Sequence, residues 1–63
     1  MEEAEERRLE GLMMERRKRE AALNRALAEL LGSGRGGAAA VTAIEEMEAV
    51  LRSIAALVSS LEA

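Results

Sequence analysis

The chain has 63 residues with a formal net charge of −3, and 49% of them are hydrophobic against 33% charged. A chain of this length buries only about 60% of the surface that its unfolded form exposes, and the usual remedies are disulfides, a metal or oligomerisation. Cys and His are both absent, which excludes disulfides, thiolate chemistry and the common zinc sites and points to self-association. Asp, Pro and every aromatic residue are missing too. The composition is too apolar for a disordered chain, and the mild charge gives no bulk attraction to nucleic acid or anionic lipid. There is no run of about 18 uncharged apolar residues that would span a membrane. The acidic start Met1-Glu2-Glu3-Ala4-Glu5-Glu6 is the opposite of a secretory signal's basic one. A soluble protein in a cytoplasm-like setting is the expectation.

Ala, Glu, Leu and Arg dominate, all strong helix formers, and one composition break divides them: Gly32-Ser33-Gly34-Arg35-Gly36-Gly37. The expected fold is all-α, a single domain over 1–63. A helix over 2–31 and a helix over 38–62 are joined by a glycine-rich loop over 32–37. Gly32 is placed as the left-handed helix stop. An alternative start for the second helix is the capping box Thr42-Ala43-Ile44-Glu45. The short link makes the helices antiparallel neighbours.

On the first helix Leu9, Leu12, Met13, Leu23, Leu27, Leu30 and Leu31 share one face. They are interrupted by Glu15-Arg16-Arg17-Lys18-Arg19-Glu20, and Arg16 and Glu20 fall in the centre of the apolar face. On the second helix Ala40, Ile44, Met47, Leu51, Ile54, Val58 and Leu61 alternate four and three apart, the spacing of a coiled-coil seam. Ala43, Val50 and Leu57 widen the stripe on one flank. Antiparallel pairing sets the most apolar part of the second helix against the most charged part of the first. One hairpin cannot satisfy both, so the second helix is expected to find its apolar partner in another copy. The expected oligomer interface is Leu9, Leu12, Met13, Leu23, Leu27 and Leu30 with Ile44, Met47, Val50, Leu51, Ile54, Leu57, Val58 and Leu61. Arg16, Glu20 and Arg52 are expected to form a polar network that fixes register, as a polar group in an apolar seam does.

Other motifs carry less. The glycine segment formally fits G-x-G-x-x-G, but a dinucleotide fingerprint needs a strand before it, and a helix precedes it here. Arg16-Arg17-Lys18-Arg19 resembles a nucleic-acid patch, yet on a helix these four spread around the axis, and no aromatic residue stands by to stack on bases. Without His, catalysis would rest on Glu or Lys18 and unassisted hydroxyls. No enzymatic activity, cofactor, metal, membrane or small-molecule substrate is expected.

The helical runs Glu2-Glu3-Ala4-Glu5-Glu6-Arg7-Arg8-Leu9 and Ala22-Leu23-Asn24-Arg25-Ala26-Leu27-Ala28-Glu29-Leu30-Leu31, with the Gly-Ser-Gly connection, resemble computationally designed α-helical bundle homo-oligomers. The length and hairpin plan are also similar to small natural helical-hairpin dimers that form four-helix bundles and bind RNA, whose recognition surface these residues do not repeat. The first resemblance implies a symmetric homo-oligomer made for its shape, with itself as partner. The alternatives are a module that docks another protein's helix and RNA binding through Arg16–Arg19.

Overall fold

A computed structural model describes residues 2–62. It contains two α-helices, α1 over Glu3–Ser33 and α2 over Gly37–Glu62, and no strand among the described residues. The all-α antiparallel hairpin is as expected. Glu3, Glu5 and Glu6 crowd the first turn of α1, where carboxylates complement the positive end of the helix dipole.

The loop is shorter than the glycines suggest, and its stop lies elsewhere. Gly32 stays helical, and Gly34 takes the left-handed conformation, φ 71° and ψ 13°, with its N–H donating to the Leu30 carbonyl at 2.8 Å. This is the single-bond left-handed helix ending. Ser33 holds the last turn closed: its hydroxyl donates to the Glu29 carbonyl at 2.8 Å and accepts the Arg35 N–H at 3.1 Å. Gly36, at φ 87°, turns the chain into α2, whose first helical bond runs from Ala40 N–H to the Gly36 carbonyl at 3.0 Å. Both positive-φ positions are glycine, the residue for which that region carries no Cβ penalty. The Thr42 capping box is not used, since Thr42 lies well inside α2.

The seam between the helices is narrow. Ala40, Val50 and Leu57 are the buried residues, and Ala43, Met47, Ile54 and Leu61 are half-buried beside them. Together they alternate three and four apart along α2, an inner ridge. Opposite them Leu9, Leu12, Ala22, Leu23, Ala26 and Leu30 of α1 are half-buried, as are Glu15, Arg16 and Arg19. The charged middle of α1 therefore does lie along the seam, at its edges. Arg19 donates to Glu15 one turn back at 2.9 Å and crosses to Glu46 of α2. The hairpin is long and thin, with extents of 47 × 16 × 11 Å and a radius of gyration of 14.6 Å. A compact chain of this length has a radius near about 11 Å.

Candidate interaction face

The apolar arc of α2 is wider than the seam it forms. The inner ridge uses one edge of the arc, and the other edge, Val41, Ile44, Leu51 and Val58, is left 54%, 41%, 45% and 38% exposed. Three of these, Ile44, Leu51 and Val58, belong to the predicted seam. The structure splits that seam lengthwise: Ala40, Met47, Ile54 and Leu61 turn inward with the flank residues Ala43, Val50 and Leu57, and Ile44, Leu51 and Val58 turn outward. On α1 the same division holds. Leu9, Leu12, Leu23 and Leu30 pack inward, and Met13, Leu27 and Leu31 stay exposed.

These two exposed edges form one surface. At about 100° per residue, Met13, Glu20, Leu27 and Leu31 lie roughly a quarter turn ahead of the packed side chains of α1. Val41, Ile44, Leu51 and Val58 lie a quarter turn ahead of those of α2. On antiparallel helices the same sense of rotation along each chain leads to the same side of the hairpin. Gly36 lies against Glu29, where a Cβ would be 3.6 Å from Glu29 Cγ, and Arg19 crosses to Glu46, which sets Glu20 near the level of Glu46, between Ile44 and Leu51 along the face. Along each helix the positions Met13, Glu20 and Leu27, and Ile44, Leu51 and Val58, repeat at about 10 Å, seven residues at about 1.5 Å each.

The middle of the α1 edge is charged. Arg16 donates to Glu20 Oε2 at 2.7 Å, with the two side chains 34% and 49% exposed. Arg52, the third member of the expected register network, is not with them. It is exposed on the side of α2 turned away from α1, and it forms no ion pair among the described residues. Lying half a turn round from the inner ridge, it cannot reach across. Among the described residues the interhelical ion pair is Arg19–Glu46 instead. It was legible only as an acid at one edge of the α2 arc and an arginine whose long side chain spans about a turn.

The chain matches no known protein family, curated protein or solved structure.

The opposite side of the hairpin is chemically different. Lys18, Arg25 and Glu29 of α1 and the small residues Ala49, Ser53, Ala56 and Ser60 of α2 are all exposed there. Met14 lies apart from both faces, 59% exposed, in a shallow groove of about 240 Å³ that it shares with Glu10, Met13 and Arg17. All four lining residues belong to α1, so the groove is a gap between side chains of one helix surface. No group of three or more acidic side chains is close enough to hold a metal among the described residues, and no helix is long and apolar enough to cross a membrane.

Proposed function

We propose that this protein is a structural self-assembly unit, a helical hairpin that completes its core by packing against further copies of itself and carries no reaction of its own. The observation that carries the reading is the apolar face of Met13, Leu27, Leu31, Val41, Ile44, Leu51 and Val58, which a single chain leaves exposed. Contiguous apolar patches beyond a few hundred Å² mark interaction surfaces on soluble proteins. The area supports the same reading. The chain exposes 4751 Å², whereas a compact monomer of this mass exposes about 4000 Å². The excess is close to the roughly 800 Å² that each partner buries in a standard interface.

Multi-angle light scattering with refractive-index detection tests the proposal, since the chain has no Trp or Tyr for ultraviolet detection. The expected mass is one fixed multiple of 6.8 kDa. Leu51→Glu sets a charge on the exposed face without touching the inner ridge, and it is expected to disperse the assembly and lower helicity together, because small obligate oligomers have no stable monomer. A wild-type chain that is a helical monomer at every concentration overturns the proposal. If helicity then rises on adding a foreign amphipathic helix, the face belongs to a different partner.

A further inference from the structure

The exposed face carries opposite charges on its two rims, and we infer that its occupant is one second copy, turned over so that α1 of each chain lies on α2 of the other with both loops at the same end. This rests on the self-assembly reading and goes further by fixing the number, the orientation and the register. The number follows from there being one apolar side. The other side of the hairpin shows Lys18, Arg25, Ser53 and Ser60 to solvent. A ring or filament needs two different complementary patches on each chain, whereas one face matched to itself closes at two. The excess of exposed area noted above, close to one partner's share of a standard interface, fits a single second copy.

The rims give the orientation. Arg17 and Glu48 each stand about 60° beyond the edge residues of their own helices, so one borders the face along α1 and the other along α2. Both are exposed, and neither forms an ion pair among the described residues. They are also level with each other. Arg19 touches Glu46, and Arg17 lies two residues toward the start of α1 while Glu48 lies two toward the end of α2. Within one chain the width of the face keeps them apart. A two-fold axis parallel to the helices leaves every level unchanged and lays the α1 rim of each chain on the α2 rim of the other. Arg17 then meets Glu48 of the second copy, at two symmetric places.

The apolar edges interleave under the same operation. With the levels set by the Arg19–Glu46 and Gly36–Glu29 contacts, the edge residues run Val58, Met13, Leu51, Glu20, Ile44 and Leu27 toward the loop, alternating between the helices. Each α1 edge residue therefore enters a gap in the α2 edge of the second copy. Glu20 falls between Ile44 and Leu51 already bonded to Arg16, so the group taken from water there is a neutral pair, as a desolvated charge requires.

The competing axis runs across the helices, puts the loops at opposite ends and lays α1 on α1 and α2 on α2. It needs one level about which both edges are centred, and there is none. Met13 and Leu27 are centred on Glu20, near the level of Glu46, whereas Ile44 and Val58 are centred on Leu51, five residues or about 7.5 Å further along α2. An axis at Glu20 brings the two Glu20 carboxylates together and carries Val58 beyond the start of the other α2 at Gly37. An axis at Leu51 carries Leu27 to the acidic start of the other α1, beside Glu3. Neither brings Arg17 to Glu48.

The absence of cysteine makes the test direct. Arg35→Cys carries one spin label in each exposed loop, and double electron–electron resonance is expected to give a separation of about 20 Å, two helix spacings, where loops at opposite ends give nearly the 47 Å length of the hairpin. Under mild oxidation Met13→Cys is expected to couple with Leu51→Cys when the two variants are mixed, and not with Leu27→Cys. Arg17→Glu and Glu48→Arg are each expected to raise the dissociation constant about tenfold at low salt, two rim pairs at about threefold each. The double variant Arg17→Glu/Glu48→Arg is expected to restore it. A label separation near the hairpin's length, or coupling of Met13→Cys with Leu27→Cys, overturns the orientation while leaving self-assembly standing. Loops together without rescue by the charge swap overturn the register, and a light-scattering mass above two chains overturns the dimer. A monomeric wild-type chain overturns both this inference and the self-assembly reading.

Discussion

Leu51 and Leu57 sit six residues apart on α2 with opposite fates in the single hairpin: Leu57 is 6% exposed and Leu51 45%. Truncating either to alanine removes three carbons, at about 0.8 kcal/mol for each one buried. For Leu57 the loss is about 2.5 kcal/mol from transfer alone, and the cavity left in the seam brings it into the 2–5 kcal/mol range of core truncations. For Leu51 in an isolated hairpin nearly half of that surface is already in water, so the cost falls to about 1.3 kcal/mol with no cavity to add. In an assembly that covers the face, Leu51 is enclosed as Leu57 is, and the two substitutions cost the same within about 1 kcal/mol. Urea unfolding followed by far-ultraviolet circular dichroism at several protein concentrations measures both. The expected result is near-equal losses and a midpoint that rises with concentration for the wild type. A Leu51→Ala cost near half that of Leu57→Ala, with a midpoint independent of concentration, would refute the claim that the face is covered in solution.

The glycines give a paired prediction. Gly32 is helical with open space where a Cβ would be, and Gly34 has φ 71°, so Gly32→Ala is expected to raise stability by about 0.5–1 kcal/mol and Gly34→Ala to lower it by about 1 kcal/mol or more, read as opposite shifts of the urea midpoint. Gly11, in the middle of α1 with nothing near its Cβ position, is expected to behave as Gly32 does, and a destabilising Gly11→Ala would mean that a second chain approaches there. Arg19 and Glu46 are 40% and 42% exposed, so a double-mutant cycle on Arg19→Ala and Glu46→Ala is expected to give a coupling of only about 0.2–1 kcal/mol, shrinking with added salt. Arg16–Arg19 is expected to give no salt-dependent retention of RNA in a filter assay, because Arg16 and Arg19 are already engaged with Glu20 and with Glu15 and Glu46; retention that falls steeply with salt would reinstate the basic cluster as a binding patch.

The two helices and their junction were legible because glycine and helix-forming residues segregate along the chain. The 3.6-residue period also marks the apolar arc of α2. What the period does not encode is which edge of a wide arc meets the other helix. Ala40, Met47, Ile54 and Leu61 lie near the middle, Ala43, Val50 and Leu57 at one edge, and Ile44, Leu51 and Val58 at the other, and either edge gives an acceptable heptad stripe. Packing on α1 chose the first edge, where Ala40 is buried and Ala43, Ala22 and Ala26 are half-buried, small residues that let the backbones approach. The position of the left-handed stop was missed for a different reason. Gly32 and Gly34 are equally able to adopt positive φ, and the choice falls to Ser33, whose hydroxyl ties back to Glu29 and carries the helix one turn's end further. Arg52 suits the polar network by its charge, but it lies on the side of α2 turned away from α1, exposed.

The charged middle of α1 posed a conflict in the sequence that the hairpin resolves only in part. At the seam Arg19 donates to both Glu15 and Glu46, leaving Arg16 and Glu20 paired to each other on an otherwise apolar face. A leucine at position 20 would bury more apolar area, so stability alone does not account for the ion pair; replacing such pairs with apolar residues is often neutral or stabilising. Its placement does carry information. An all-apolar stripe repeating every seven residues can slide by one layer at little cost, and a single polar layer removes that freedom by making every slipped register set a charge against leucine, isoleucine or methionine.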